Sequence, residues 1–312
     1  MNFHKTVLLK ESIKALKIKK NGIYIDCTFG FGGHSKEILK KLNKKGYLYA
    51  FEKDPENFIN AKKIKDTRFK IFKKNFSKIK KYSKKKKIKG LINGILIDLG
   101  ISNNQLKNKK RGFSFKKNSP LDMRINQNKK ISLSKWLQKA KEKKIFTILK
   151  KYGNEKFSKK ISKAIFKKKK IKKILTTKQL KKIIKKTIPI KYQYKKSLQK
   201  TFLAFRIYLN KEKKTLKKTL KKIYSILAPN GRLVIITFNS LEDKIVKNFI
   251  KKNSKINCNN IPIEIPIKYK NIIKINKKKI KFKIIKKIKP KTKEKYYNSN
   301  SKSAILRVIE KI

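Results

Sequence analysis

At 312 residues the chain can bury one good core and a small second one, so one or two domains are expected and a single-layer peptide is excluded. Lys and Arg number 93 against 17 acidic residues, a formal charge of +76, which exceeds any requirement of solubility and points to a polyanionic partner, RNA or DNA first. Lys, Ile and Asn also dominate the exposed stretches, as in a chain drifting towards A/T-rich codons, so the charge speaks for some polyanion more than for which one.

In chain order, apolar runs at residues 23–29, 47–51, 69–72 and 95–99 are separated by helical stretches. That alternation predicts the first half of a doubly wound α/β domain, in which ligands bind at the carboxyl ends of the strands. The first strand runs into Gly30, Gly32 and Gly33, three of only eleven glycines, where positive φ or close ligand approach would require them. Ser35 stands where a dinucleotide fingerprint needs its third glycine, and no triphosphate-loop pattern occurs. The loop therefore reads as one for S-adenosylmethionine, an adenosine cofactor without phosphates, with a plain structural turn as the competing reading. Glu52, ending the second strand, can accept both ribose hydroxyls, or is simply a solvated loop acid. Phe76 follows the third strand and either stacks on adenine or belongs to the core. Asp98 is the one acid of an otherwise apolar strand, costly to bury unless hydrogen-bonded, and is a candidate to orient the cofactor's amino end or the acceptor.

Residues 107–197 show no convincing strand, and apolar residues recur at helical spacing, as in Phe157, Ile161, Ala164 and Ile165, predicting an inserted helical domain. Gly153 reads as a C-cap and Asn154 as the cap of the next helix, while Thr176 or Thr177 opens another that Pro189 ends. Two more helices, carrying Leu198 to Leu209 and Leu216 to Leu227, lead to a turn at 228–231 and a strand at 232–238. A last strand at 304–309 completes the sheet, and residues 251–300 are expected to form loop and weak structure. Only six basic residues are arginine (Arg68, Arg111, Arg124, Arg206, Arg232, Arg307), so structural or substrate-clamping roles are expected of them. Phe113 and Phe115 offer faces for base stacking or pack the insert, and Trp136 reads as core. Cys27 and Cys258, with only His4 and His34 beside them, make neither a disulfide framework nor a zinc ligand set. No stretch approaches the roughly 18 apolar residues of a membrane span, and a soluble cytoplasmic protein is expected.

Several blocks together carry a family resemblance: His4-Lys-Thr-Val-Leu-Leu, Tyr24-Ile-Asp-Cys-Thr-Phe-Gly-Phe-Gly-Gly-His-Ser35, Asp98-Leu-Gly-Ile-Ser102 with Gln105-Leu106, Arg111-Gly-Phe-Ser-Phe115, Leu121-Asp-Met-Arg124, Phe202 to Asn210, and Ser240-Leu-Glu-Asp243. The set spans nearly the whole chain and resembles the bacterial 16S ribosomal RNA cytosine-N4 methyltransferases (RsmH/MraW). The resemblance implies a class I, Rossmann-like methyltransferase domain at 1–106 and 198–312 with a helical, RNA-recognising insert at 107–197. It implies methyl transfer from S-adenosylmethionine to a decoding-site cytidine of 16S rRNA in the small ribosomal subunit. Carried over, cofactor contacts would be Gly32, Gly33, His34, Glu52, Phe76, Asp98 and Gln105, with Glu52 standing where the family usually has aspartate. Asp98, Ser102 and Asn239 are the candidate acceptors for the amine, and Arg111, Phe113, Phe115 and Arg124 for contacts to a base drawn from its stack. The family's histidine is Asn239 here, which argues against an obligatory imidazole base. In-line positioning alone can supply on the order of 7 to 11 kcal/mol of the barrier. The competing readings are a basic RNA-binding protein without catalysis, a nucleotide-dependent oxidoreductase, disfavoured by Ser35, and a methyltransferase for another acceptor, disfavoured by the missing Pro-Pro signature after Asp98.

Overall fold

A computed structural model describes residues 6–188, 190–254 and 280–312. The chain divides into two compact units, residues 1–100 with 215–312, and residues 101–214. The strands are β1 (Ile23–Asp26), β2 (Tyr47–Phe51), β3 (Phe69–Phe72), β4 (Ile92–Asp98), β5 (Leu227–Thr237), β6 (Phe282–Ile288) and β7 (Ile305–Lys311). The helices of the first half are α1 (Leu9–Leu16), α2 (Gly33–Lys40), α3 (Pro55–Lys62), α4 (Ile79–Lys85), α5 (Asn103–Lys107), α6 (Leu133–Lys139) and α7 (Glu142–Gly153). Those of the second half are α8 (Ser158–Ile171), α9 (Thr177–Thr187), α10 (Lys191–Leu209), α11 (Glu212–Ile223), α12 (Ser240–Asn253) and α13 (Thr292–Tyr297).

In the first unit a seven-stranded sheet runs β3-β2-β1-β4-β5-β7-β6. The first five strands are parallel and β7 is antiparallel to both of its neighbours. This is the Rossmann-like α/β sheet expected of a methyltransferase. Strand order reverses between β1 and β4, which opens a crevice at their carboxyl ends. One face of the sheet is covered through Ile79 and Ile88 around α4 and Leu216, Leu220 and Ile223 of α11, the last three at the spacing of one helical stripe. The other is covered through Leu16 of α1 and Ile38 and Leu39 of α2.

Three expectations need correction here. The turn at 228–231 is an irregularity inside β5: Ile92 pairs with Leu227 and Gly94 with Arg232, so the intervening residues leave the ladder, with Asn230 at φ 59°. Residues 280–300 are not merely loop, since they hold β6 and α13, and β6 rather than the 304–309 strand forms the sheet edge. Only Phe282 of β6 is buried. An edge strand needs little apolar patterning, and its lysines discourage further strand pairing, which is why no strand period was visible. Finally, the helical unit extends over 101–214 instead of 107–197. α10 is continuous across residue 198, and Leu198, Phe202, Ala204 and Phe205 lie in the core of the helical unit.

That second core also gathers Leu133, Leu149, Ile161, Ile165, Leu180 and Ile184. Gly153 is the last residue of α7, and a Cβ there would lie 2.7 Å from the Lys200 carbonyl, so the glycine allows α10 to approach closely. Asn154, at φ 47°, is the left-handed cap that Gly153 was expected to be. Thr176 opens α9 in a capping box with Gln179. Pro189, Cys258 and His4 lie outside the described residues.

Candidate active site

The loop after β1 is built by backbone demands. Gly30 and Gly32 have φ of 57° and 75°, and the Gly32 N–H donates to the Phe29 carbonyl. A Cβ on Gly33 would overlap Thr6 Oγ1, so this glycine serves the approach of the N-terminal segment. Asp26, which the sequence reading did not single out, holds the loop from beneath. Its Oδ1 accepts from the Thr28 N–H (2.9 Å) and its Oδ2 from Ser35 Oγ (2.7 Å), so the serine that breaks the dinucleotide pattern braces the turn. The available signal was a carboxylate ending a strand whose last three residues are all buried.

Glu52 is 8% exposed and reaches back to the same loop. Its Oε2 accepts from the Gly30 N–H (2.9 Å) and from Asn57 Nδ2 (3.4 Å), and its Oε1 from the N–H groups of Lys53 (2.7 Å) and Asp54 (2.8 Å). Four donors therefore meet the roughly four lone-pair positions of a carboxylate. The far end of β4 carries Asp98, whose N–H donates to Thr28 Oγ1 (2.7 Å). Its Oδ2 lies 3.9 Å from Nδ1 of the buried His34. Its Oδ1 is buried and, among the described residues, has no hydrogen-bond partner, although a quarter of the side chain is exposed. Burial raises the carboxyls of Asp26 and Glu52, and raises Asp98 well above the usual range, with the charges of Asp26 and Glu242 adding to the effect. Burial likewise pushes the Cys27 thiol well up, which makes it a poor nucleophile. Acids thus converge at the carboxyl ends of β1, β2 and β4 in a chain of formal charge +76. Such a set suits a ligand that brings positive charge.

Other predicted residues have structural partners. Phe76 lies in the core cluster with Ile79. Asn239 caps α12, its side chain accepting from the Glu242 N–H (3.0 Å) while Glu242 Oε2 accepts from the Phe238 N–H (3.1 Å). In the helical unit, Ser102 and Gln105 form a capping box at the start of α5. Arg111 is 1% exposed and its Nη2 donates to the carbonyls of Arg124 (3.2 Å) and Ile125 (2.7 Å). Arg124 itself forks onto Asp122, at 2.7 Å through both Nε and Nη2. Phe113 is buried in the helical core and Phe115 packs edge-on against Phe202 at 5.4 Å. Trp136 lies 4.9 Å from Tyr208. Packing, rather than an exposed stacking face, describes these aromatics. The remaining arginines pair with carboxylates: Arg68 with Asp66, Arg206 with Glu212, Arg232 with Glu310 and Arg307 with Asp243.

A family model described as the MraW methylase family matches residues 1–312. The chain belongs to the MraW methylase family. Three curated proteins, each named ribosomal RNA small subunit methyltransferase H, are similar to it along nearly their whole length. That of Buchnera aphidicola subsp. Cinara cedri is 54% identical over 307 residues, 98% of this chain and 99% of that protein. That of Buchnera aphidicola subsp. Schizaphis graminum is 49% identical over 98% of this chain and 97% of that protein. That of Wigglesworthia glossinidia brevipalpis is 48% identical over 99% of both. Membership in the MraW family makes the protein a methylase, and it gives the acids at the strand ends a chemical context. No helix among the described residues is long and apolar enough to cross a membrane.

Proposed function

We propose that this methylase transfers the methyl group of S-adenosylmethionine to the exocyclic N4 of a decoding-site cytidine in 16S rRNA, acting on the small ribosomal subunit in the cytoplasm. The observation that carries the reading is the Asp98 carboxyl, with its buried Oδ1 free to accept, set among raised acids at the end of β4. The names of the curated relatives and the charge of +76 support the RNA substrate. The residues present fit the cofactor, because a sulfonium and an ammonium would relieve the mutual repulsion of Asp26, Asp98 and Glu242. When bound, S-adenosylmethionine supplies an electrophilic methyl group on a good leaving group.

The chain's own contribution is to hold and orient. Asp26 and Glu52 brace the glycine loop from two sides, and Thr28 links that loop to the Asp98 backbone. Ser102 Oγ and Asn239 Oδ1 are engaged as helix caps, which leaves Asp98 the strongest of the three candidates for accepting a hydrogen bond from the amine. Ionised, Asp98 accepts through Oδ1 and draws the nitrogen lone pair out of conjugation with the ring. Because burial keeps it basic, it can then take the proton that the methylated amine sheds. His34, 3.9 Å from Oδ2, limits the rotation of that carboxyl. Exposed lysines such as Lys159, Lys160, Lys163 and Lys167 on α8 offer the helical unit's contribution to phosphate binding.

The test is transfer of labelled methyl to small subunits lacking the modification, with the labelled nucleotide mapped. Label on N4 of one decoding-site cytidine is the expected result. Cofactor binding without label would move the acceptor elsewhere. Absence of cofactor binding by folded protein would favour a basic RNA-binding protein without catalysis.

A further inference from the structure

Two stretches of the sheet-bearing unit contain no acidic residue at all, from Thr67 to Ile97 and from Thr215 to Leu241. Far apart in sequence, they meet on one face of the sheet, where Ile79 and Ile88 share a core cluster with Leu216, Leu220 and Ile223. Two polar links tie the segment leading into α4 to α11. Asn75 Nδ2 donates to Thr215 Oγ1 (3.3 Å), and Lys222 Nζ reaches back along its helix to donate to the Ser77 carbonyl (2.8 Å). Lys222 keeps two further N–H donors. Ser77 immediately follows Phe76, at the carboxyl end of β3 and on the ligand side of the sheet.

We infer that Lys78, Lys80, Lys218 and Lys222 form a phosphate-binding site on the α4–α11 rim that takes phosphodiester groups of the RNA beside the cofactor crevice. This rests on the RNA-methylating function proposed above. Structural cations in this unit are treated differently: Arg68, Arg232 and Arg307 each have a carboxylate, whereas among the described residues none of the four lysines forms an ion pair. The cluster is also self-repelling. Burial first, and then the charges of Lys218, Lys78 and Lys80, hold the Lys222 ammonium below its ordinary value. Among the described residues no carboxylate offsets these ammonium groups, and a phosphate group would supply the missing negative charge. Lysines without a guanidinium fork serve as point charges for phosphate and do not read bases.

The test uses the full chain carrying K78Q/K80Q/K218Q, which leaves the Lys222–Ser77 link in place. K247Q/K251Q/K252Q on the exposed face of α12 is the charge-matched control. Affinity for a decoding-site RNA fragment is measured from 0.05 to 0.5 M salt, with thermal midpoints alongside. Relief of repulsion should leave the midpoint of the rim variant unchanged or higher. Three lost single-strand phosphate contacts should reduce the slope of log K against log salt by about 2, or roughly 10²-fold in relative affinity across that tenfold range of salt. The control should lose far less. Equal losses in both variants, or a parental slope in the rim variant, would overturn the site. Failure of the parent protein itself to bind RNA would instead count against the proposed substrate.

Discussion

Replacing Arg111 by methionine separates a structural guanidinium from a substrate clamp. Arg111 is buried, its Nη2 serves the carbonyls of Arg124 and Ile125, and its guanidinium lies 6.0 Å from the centre of the Phe113 ring. Methionine fills much of the same volume but donates nothing. Each buried carbonyl left without a donor costs about 1 to 3 kcal/mol, so the substitution should remove roughly 2 to 6 kcal/mol from the helical unit. With a denaturant slope of about 2 kcal/mol per molar urea, the midpoint should fall by roughly 1 to 3 M. The assay is already in the chain: Trp136, the only tryptophan, packs between Phe205 (6.1 Å) and Tyr208 (4.9 Å), so its fluorescence follows this unit. Arg111→Lys should fall between parent and methionine, since one ammonium reaches two carbonyls less well than a fork. RNA affinity measured without urea should change by less than about threefold, within the scatter of a surface effect of a few tenths of a kcal/mol. An unchanged midpoint together with a large loss of RNA affinity would refute this reasoning and restore Arg111 to the substrate.

Three further outcomes are expected. Asp98 has a raised carboxyl in the folded chain, so its contribution to stability is complete below the unfolded-state value and is lost as pH rises through the folded one. Asp98→Asn should therefore flatten that portion of the pH dependence of the urea midpoint while lowering methyl transfer by about 10² or more; parental transfer rates would remove Asp98 from the chemistry. Glu52→Gln places an amide among donors from Gly30, Lys53, Asp54 and Asn57, so calorimetric titration with S-adenosylmethionine should show affinity down by about tenfold or more with the Trp136 transition unmoved. Gly112, at φ 65°, has the Pro120 carbonyl where a Cβ would stand and the Asp122 N 2.9 Å away, whereas Gly90, at φ 88°, has nothing within 4 Å. Gly90→Ala should cost only the left-handed penalty of about 1 to 2 kcal/mol, and Gly112→Ala substantially more, by urea unfolding. Equal costs would mean that the loop at Pro120 yields freely.

Much of the catalytic sheet was readable from local pattern. Residues 47–51 and 69–72 form strands at the expected positions: the first is paired on both sides and shows itself as an apolar run, and the second, at the sheet edge, still keeps three of its four residues apolar. Gly30 and Gly32 marked the loop because positive φ is a demand made by a few adjacent bonds, and Asp98 stood out because an acid in an apolar strand is costly. Partnership across distance was not readable. The carbonyls that receive Arg111 lie 13 and 14 residues away, beyond any period of helix or strand, so a buried brace and a substrate clamp look alike in one dimension. β6 escaped notice because only Phe282 of its seven residues is buried, so lysines at the outward positions interrupt any apolar run. Asp26 acquires its importance from Ser35 and from the charge it shares with Asp98, and the α4–α11 rim exists only because Lys222 meets Ser77 across 145 residues. Propensity and period therefore determined the elements and the glycine loop, while long-range packing, which sets burial and the spacing of charges, decided what each polar side chain does.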